Sequence, residues 1–124
     1  ADLAADGVDA EILFPNKGLT IWATPDAKFS QKMCKVYNEW AWETFSGVNH
    51  VLSPMACIAP ADTAGAIKEI ERTAELGFRG LSLPCKPVWG PPDHENLNYN
   101  LPEFDPMWSV IEQTGLPITF HVSA

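Results

Sequence analysis

Short apolar runs alternate along the chain with longer stretches in which apolar residues recur every three or four positions. The short runs are nearly continuous in apolar residues, which is typical of strands that are covered on both faces, as in a parallel sheet. We predict four strands, with the sequences DAEILF at 9–14, VLSPMACIA at 51–59, RGLSL at 79–83 and PITFHV at 117–122.

The stretches between these runs predict amphipathic helices. The first, DAKFSQKMCKVYNEWAWETFSG, carries one broad apolar stripe and ends at Gly47. Its stripe comprises Phe29, Met33, Val36, Tyr37, Trp40 and Phe45. The second helix begins after an N-cap at Asp62 and ends at Gly77, and the third begins after an N-cap at Asp105 and ends at Gly115.

The order of elements indicates βαβ units on a parallel sheet with right-handed crossovers. The opening residues, ADLAADG, predict the end of an earlier helix. There is no close repeat of residue identity, but the unit recurs about every 30 to 40 residues, which suits a (β/α) barrel. We therefore predict an α/β fold with about four parallel strands and intervening helices.

The segments that leave the strands are longer than the turns that enter them. The third strand is followed by about twenty residues rich in proline, and loops of this length are usually functional or disordered. In parallel α/β folds the chemistry collects at the carboxyl ends of the strands. Asn16, Lys86 and His94 follow strands and are our candidates for substrate contacts, although each could also be an ordinary solvated loop residue.

His121 lies at the carboxyl end of the last predicted strand. Side chains alternate along a strand, so Ile118, Phe120 and Val122 share one face while Thr119 and His121 share the other. We predict that the apolar face packs against helices and that His121 faces the mouth of the barrel. An imidazole there could bind a metal or transfer a proton, but the pattern also allows a histidine hydrogen-bonded in the core. His50 precedes its strand, and we expect it at the opposite end in a structural role.

Composition and charge narrow the function classes. The 124 residues carry a formal net charge of −8, with a sequence pI near 4.6, which argues against a nucleic-acid partner. No apolar run approaches the roughly 18 residues of a membrane span, so we expect a cytoplasmic protein that does not contact a membrane. The three cysteines form no C-x-x-C pair, and we expect them to be reduced, with Cys57 and Cys85 as small buried residues.

Four segments together resemble metal-dependent hydrolases of the amidohydrolase superfamily, in the branch that includes aminocarboxymuconate-semialdehyde decarboxylase. They are DGVDAEILFPNKGL, VYNEWAWETF, ERTAELGFRGLSLP and FDPMWSVIEQTGLPITFHVSA. The resemblance implies a partial TIM (β/α)8 barrel in which residues 1–124 match roughly strands two to five. In that family a strand like the last one ends in a histidine that binds the catalytic metal, so the resemblance implies that His121 is a metal ligand.

The resemblance also implies an activity. The parent enzyme would hydrolyse a small C–N or C–O bond, or decarboxylate a small carboxylic acid, with a divalent metal such as Zn²⁺. The family's H-x-H metal pair, and its later histidine and aspartate ligands, have no counterpart in this chain. Because a catalytic zinc site needs about three protein ligands, we expect these residues alone to be inactive.

Two other interpretations stay open. The chain could be a non-catalytic half-barrel that assembles with itself or with a partner chain, because four strands leave two open sheet edges. It could also belong to a barrel enzyme that binds a phosphorylated substrate without a metal. We expect a homo-oligomer, or completion by the remainder of a parent barrel.

Overall fold

The structure is a computed structural model that describes residues 2–16, 18–87 and 97–122. The helices are α1 (Asp2–Ala5), α2 (Gly18–Trp22), α3 (Ala27–Phe45), α4 (Thr63–Leu76) and α5 (Asp105–Thr114), with 3-10 turns at Ser46–Val48 and Pro102–Phe104. The strands are β1 (Glu11–Leu13), β2 (Leu52–Pro54), β3 (Ala56–Cys57), β4 (Leu81–Pro84) and β5 (Ile118–His121). Within these ranges, no helix combines the length and the apolar character that crossing a bilayer requires.

All the strand pairs of the described residues are parallel, as predicted. β1 pairs with β2, β3 pairs with β4, and β4 pairs with β5. Met55 separates β2 from β3, and its backbone N–H donates to Leu13 at 2.9 Å, whereas the next N–H, of Ala56, donates to Gly80 at 3.0 Å. β2 and β3 are therefore successive halves of one middle strand, which changes its partner from β1 to β4 at Met55.

β1 pairs with β2 but not with β3, and side chains from the helices bind the backbone of the middle strand along the edge that is left without a neighbouring strand. The Asn38 amide on α3 pairs with both backbone groups of Cys57: its Oδ1 accepts from the N–H at 2.7 Å, and its Nδ2 donates to the carbonyl at 2.9 Å. Just beyond, Trp22 Nε1 donates to the Ile58 carbonyl at 2.7 Å. Buried peptide groups need hydrogen-bond partners, so these bonds take the place of a neighbouring strand.

Two apolar clusters flank the sheet. The larger is formed by Ala56 and Ile58 from the middle strand, Leu81 and Leu83 from β4, and residues of α4 and α5. The smaller lies on the other side of the middle strand, between the strand and α2–α3, and comprises Ile21, Trp22, Cys34, Cys57 and Ala59. The sheet is thus covered on both sides at its centre, which explains the nearly continuous apolar sequence of the middle strand.

The orientation of α3 differs from the prediction. The residues that α3 buries are small or polar: Ser30, Cys34, Asn38 and Ala41. Three members of the predicted stripe are more than half exposed: Phe29 at 55%, Val36 at 65% and Trp40 at 53%. Small residues face inward because α3 approaches the edge of β3 closely enough for the amide of Asn38 to reach its backbone.

One of the two predicted helix caps is present in the structure. The carboxylate of Asp62 accepts from the Gly65 N–H at 3.3 Å at the start of α4, which confirms the predicted cap. The predicted cap at Asp105 is wrong, because a 3-10 turn precedes α5 and the cap position falls on Phe104, which makes no side-chain bond. Asp105 is instead the first residue of the helix.

Candidate functional site

The backbone of His121 is fixed at the carboxyl end of the sheet. It stands in register with Pro84 at the end of β4. Its carbonyl accepts from both the backbone N–H and the Sγ of Cys85, each at 3.1 Å. The preceding side chain, Phe120, lies 5.4 Å from the ring of Tyr99 and 6.5 Å from that of Trp108 on α5, measured between centroids. Phe120 thus points to the helix side, and His121 leaves the strand on the opposite face.

The ring of His121 has one nitrogen occupied. Nδ1 lies 2.8 Å from the carbonyl oxygen of Val122. A carbonyl can only accept a hydrogen bond, so this contact requires the proton on Nδ1 and leaves the lone pair on Nε2. The His121 ring also lies 5.8 Å from that of Phe14, which directly follows β1. The ends of the first and last strands therefore meet here.

Of the other predicted substrate residues, the structure describes Asn16 and Lys86. Asn16 is exposed in the turn after β1 and lines a groove of about 190 Å³ that also contains Tyr37 and Trp40. Lys86 is exposed just after β4, and in the part of the chain that the structure describes it forms no ion pair. His94 lies outside the described residues. Among the described residues, neither Asn16 nor Lys86 forms a hydrogen bond or an ion pair with His121.

His50 lies at the opposite end of the sheet, in the turn that precedes β2. Its exposed ring borders a cavity of about 530 Å³ between the end of α1 and the start of β2. Because that end carries the amino termini of the strands, His50 and His121 are separated by the length of the sheet.

A small pocket of about 190 Å³ opens at the carboxyl ends of the middle strands. Its lining includes Trp22 and Ser30 from the α2–α3 side and Pro60 and Pro84 from the strand ends. Both of the buried polar side chains already donate to carbonyls: Ser30 Oγ to Ile21 at 2.9 Å, and Trp22 as described above. The pocket is therefore a recess with apolar surface at the carboxyl ends of the strands, and these two side chains contribute no free polar group to it.

The described residues contain no group of three His, Cys, Asp or Glu side chains close enough to hold a metal ion together. Two of the three cysteines do meet, with Cys34 Sγ 3.5 Å from Cys57 Sγ, and both are fully buried. The hydrogen bond with Cys57, together with burial, raises the pKa of the Cys34 thiol well above its usual value. A neutral buried thiol is a poor metal ligand. The described residues therefore offer no complete set of metal ligands around His121.

One buried ionic network lies away from the strand ends. Glu69 on α4 is 3% exposed and accepts two bonds from Arg72, at 2.9 and 2.6 Å, and one from Asn38 at 2.9 Å. The bond to Glu69 raises the pKa of Arg72. Because these groups satisfy one another and tie α3 to α4 and β3, we assign the network a structural role.

Two residues of the mouth, Phe14 and Cys85, did not stand out in the sequence. Phe14 lies two residues after Ile12, so the alternation of side chains along the strand puts both on the same face. The sequence could therefore have indicated that both share a face with His121. Cys85 is the first residue after β4, at the carboxyl end of that strand, and its side chain is exposed, so the expectation that it is buried is wrong.

A sheet of parallel strands joined through helices, with an imidazole at a carboxyl end, defines part of a (β/α) barrel. The model of the family described as "Amidohydrolase" matches residues 4–124. The chain therefore belongs to the amidohydrolase family, and the resemblance seen in the sequence is confirmed.

Solved structures share this fold. A 2,6-dihydroxybenzoate decarboxylase complexed with 2,6-dihydroxybenzoate has a TM-score of 0.84 and 25% identity, over 96% of this chain and 36% of its own. The 5-carboxyvanillate decarboxylase of Sphingomonas paucimobilis has a TM-score of 0.76 and 26% identity, over 96% and 33%. A dihydroxybenzoic acid decarboxylase from Polaromonas sp. JS666, with bound manganese and 2-nitroresorcinol, has a TM-score of 0.85 and 20% identity, over 97% and 36%. No curated protein sequence matches the chain.

The chain thus spans about a third of the length of these enzymes. The predicted fold, a partial TIM barrel, is confirmed by their similarity over nearly all of the chain.

Proposed function

We propose that this chain is part of a metal-dependent enzyme that decarboxylates a small carboxylic acid. The observation that carries the proposal is the similarity, at 25% and 26% identity over 96% of the chain, to two decarboxylases of small aromatic acids. Hydrolysis of a small C–N or C–O bond is the other reaction that membership of the family allows. The residues would supply roughly strands two to five of a complete, cytoplasmic barrel.

His121 is the residue that we propose as a metal ligand. Its position at a strand end supports this role, and so does the Nδ1 contact with Val122, which leaves Nε2 free to bind. The carbonyl would act as the second partner that orients a ligating histidine. The remaining ligands would come from strands outside this chain, because the described residues hold no complete set.

The bound ion would be divalent, and we propose Zn²⁺, although manganese is bound in the Polaromonas enzyme. When bound, it would supply a positive charge that polarises a substrate oxygen or lowers the pKa of a water. The chain's own residues would position the substrate: Phe14 as an apolar wall against the His121 ring, and Asn16, Lys86 and His94 as contacts for an anionic group.

The test is the His121→Ala variant of the intact protein, compared with His50→Ala at the opposite end of the sheet. Removing a group that only orients a metal ligand typically lowers metal affinity 10- to 100-fold. We expect His121→Ala, which removes the ligand itself, to lower metal affinity by more than this and to abolish turnover. His50→Ala should keep both properties. Metal content by mass spectrometry, turnover of 2,6-dihydroxybenzoate as a trial substrate, and circular dichroism would be measured for each.

The proposal for His121 fails if the alanine variant keeps full metal content. If the wild-type protein binds metal but neither releases CO₂ nor hydrolyses trial esters or amides, then the proposed reaction is wrong while the ligand assignment stands.

A further inference from the structure

Cys34 on α3 and Cys57 on β3 form a pair of thiols that the proposed function does not use. Their Sγ atoms lie 3.5 Å apart, and the Cys34 thiol donates a hydrogen bond to that of Cys57. Both side chains are fully buried, and both thiols are free. The pair lies in the smaller apolar cluster, between α2, α3 and the middle strand, so its surroundings come from this chain itself.

The backbones that carry the two thiols are held at a fixed separation. Asn38 lies one turn after Cys34 on α3, and its amide bonds both backbone groups of Cys57, at 2.7 and 2.9 Å. A disulfide has an S–S bond of about 2.05 Å, so the two sulfur atoms must approach by about 1.5 Å. Rotation of the side chains about their Cα–Cβ bonds supplies a movement of this size while the backbone stays in place.

Helix α2 covers the pair, because Ile21 and Trp22 belong to the same cluster. Two side-chain bonds hold this helix: Ser30 Oγ donates to the Ile21 carbonyl at 2.9 Å, and Trp22 Nε1 donates to the Ile58 carbonyl at 2.7 Å. α2 has five residues, and a helix of that length is not stable without its tertiary contacts. A local opening that breaks these bonds therefore exposes the thiols.

The closed pair is protected from oxidation. The hydrogen bond with Cys57, together with burial, raises the pKa of the Cys34 thiol well above its usual value. Oxidants react with the thiolate, and a buried neutral thiol is inert. Oxidation must therefore proceed through the open form of α2.

We propose that Cys34 and Cys57 are a site of reversible oxidation, at which a small hydroperoxide links α3 to the middle strand through a disulfide. In the open form, one thiolate attacks a peroxide oxygen of hydrogen peroxide, so that a sulfenic acid forms and the other oxygen leaves as water. The second thiol then displaces the hydroxyl group of the sulfenic acid, which forms the S–S bond and releases a second water. The two sulfur atoms lose two electrons and the peroxide gains them.

The inference does not depend on the proposed reaction or on the metal. A thiol reductant returns the two electrons and restores both thiols, so the oxidation is reversible. The disulfide would fix α3 to the strand two residues before Ala59, which lines the pocket at the carboxyl ends of the strands.

The first test treats the intact Cys85→Ser protein with hydrogen peroxide, because Cys85 is exposed and would react independently. Trypsin cleaves after lysine and arginine, so the two buried thiols fall in separate peptides, 33–35 and 36–68. We expect mass spectrometry to find these peptides joined by a bond that a reducing agent breaks. Unlinked peptides, or a link that forms only in denaturant, would overturn the proposal.

The second test concerns the route through α2. Trp22→Phe removes the indole bond to Ile58 but keeps an aromatic ring, so the link should form about two- to tenfold faster. Trp108→Phe is the matched control, because it removes an indole bond to the Tyr99 carbonyl at 3.0 Å, outside this cluster. It should keep the wild-type rate, and equal rates in the two variants would contradict the role of α2 as the cover.

The third test is urea denaturation of the oxidised and reduced forms. Cys34 and Cys57 are 23 positions apart, and a disulfide that closes such a loop restricts the unfolded chain, so the oxidised protein should have the higher urea midpoint. Cys34→Ser cannot form the link, and its midpoint should not rise after peroxide treatment. A lower midpoint in the oxidised protein would contradict the proposal, because it would mean that the disulfide does not fit the native packing.

Discussion

At the scale of single residues, Asn38 shows how a helix can complete a sheet. A side-chain amide carries one donor group and one acceptor, as a peptide group does, and Asn38 uses both on the backbone of Cys57. Its Nδ2 also donates to the buried carboxylate of Glu69. The sequence showed an asparagine in a helix, but nothing local to it indicated a strand edge within reach. The reach of Asn38 to that edge depends on how α3 packs against the sheet.

We expect Asn38→Ala to lower the free energy of unfolding by about 2–4 kcal/mol, because it leaves buried backbone groups of Cys57 without partners. Asn100→Ala, at an exposed position in the turn before α5, should change it by less than about 0.5 kcal/mol. Urea denaturation of the two variants would measure the difference. Equal stabilities would show that water replaces the amide.

Tyr99 predicts a dependence on alkaline pH. Its hydroxyl donates to the Pro84 carbonyl at 2.6 Å, and burial is the main cause that raises its pKa. Burial also raises the pKa of Tyr37 to about 12. Tyrosine in the unfolded chain ionises near pH 10, so the stability from these groups is fully present below about pH 10 and is lost as the pH rises further.

The free energy of unfolding should therefore fall as the pH rises from about 10 to about 12. The fall should be smaller in Tyr99→Phe, which cannot ionise. Chemical denaturation at several pH values would test this, with Tyr37→Phe as the second variant. An unchanged pH slope in both variants would contradict the expected effect.

At the scale of elements, the sequence predicted well what depends on neighbours along the chain. The strand runs, the cap at Asp62 and the glycine ends of α4 and α5 follow from local patterns, and the structure contains them. The orientation of α3 was not predictable in this way. Its largest apolar side chains suggested the buried face, whereas close approach to a strand edge selects small residues such as Cys34 and Ala41. The cap at Asp105 failed for a similar reason, because an additional 3-10 turn shifts the start of α5.

The two aspartates at helix starts should differ in their contributions. Asp26 accepts a bond from the Phe29 N–H at 2.9 Å, and Asp26→Ala should cost about 1 kcal/mol of stability. Asp105 makes no capping bond, so Asp105→Ala should cost no more than about 0.5 kcal/mol, from the helix dipole alone. Thermal denaturation of both variants at pH 7 would compare them. A larger loss of stability in Asp105→Ala than in Asp26→Ala would show that Asp105 does act as a helix cap.

At the scale of the whole molecule, the sequence predicted a parallel sheet with His121 at a carboxyl end, and the structure adds Phe14 from the carboxyl end of β1, at the other edge of the sheet. That contact joins residues more than a hundred positions apart, so no pattern of neighbouring residues predicts it. The full ligand set of the candidate site could not be predicted from these residues, because a barrel distributes its ligands over many strands.

The change of partner at Met55 divides the sheet into two hydrogen-bonded units that share one strand. The β1–β2 unit is held by bonds such as Met55 N–H to Leu13, whereas the other unit includes Ala56 N–H to Gly80. β1 is the outer strand, and Ile12 in it is 62% exposed, so its unit can open while the other stays folded. In native-state hydrogen exchange, the Met55 amide should lose its proton in a local opening, and the adjacent Ala56 amide only in a larger one. Equal protection of these two neighbouring amides would instead mean that the protein unfolds as one cooperative unit.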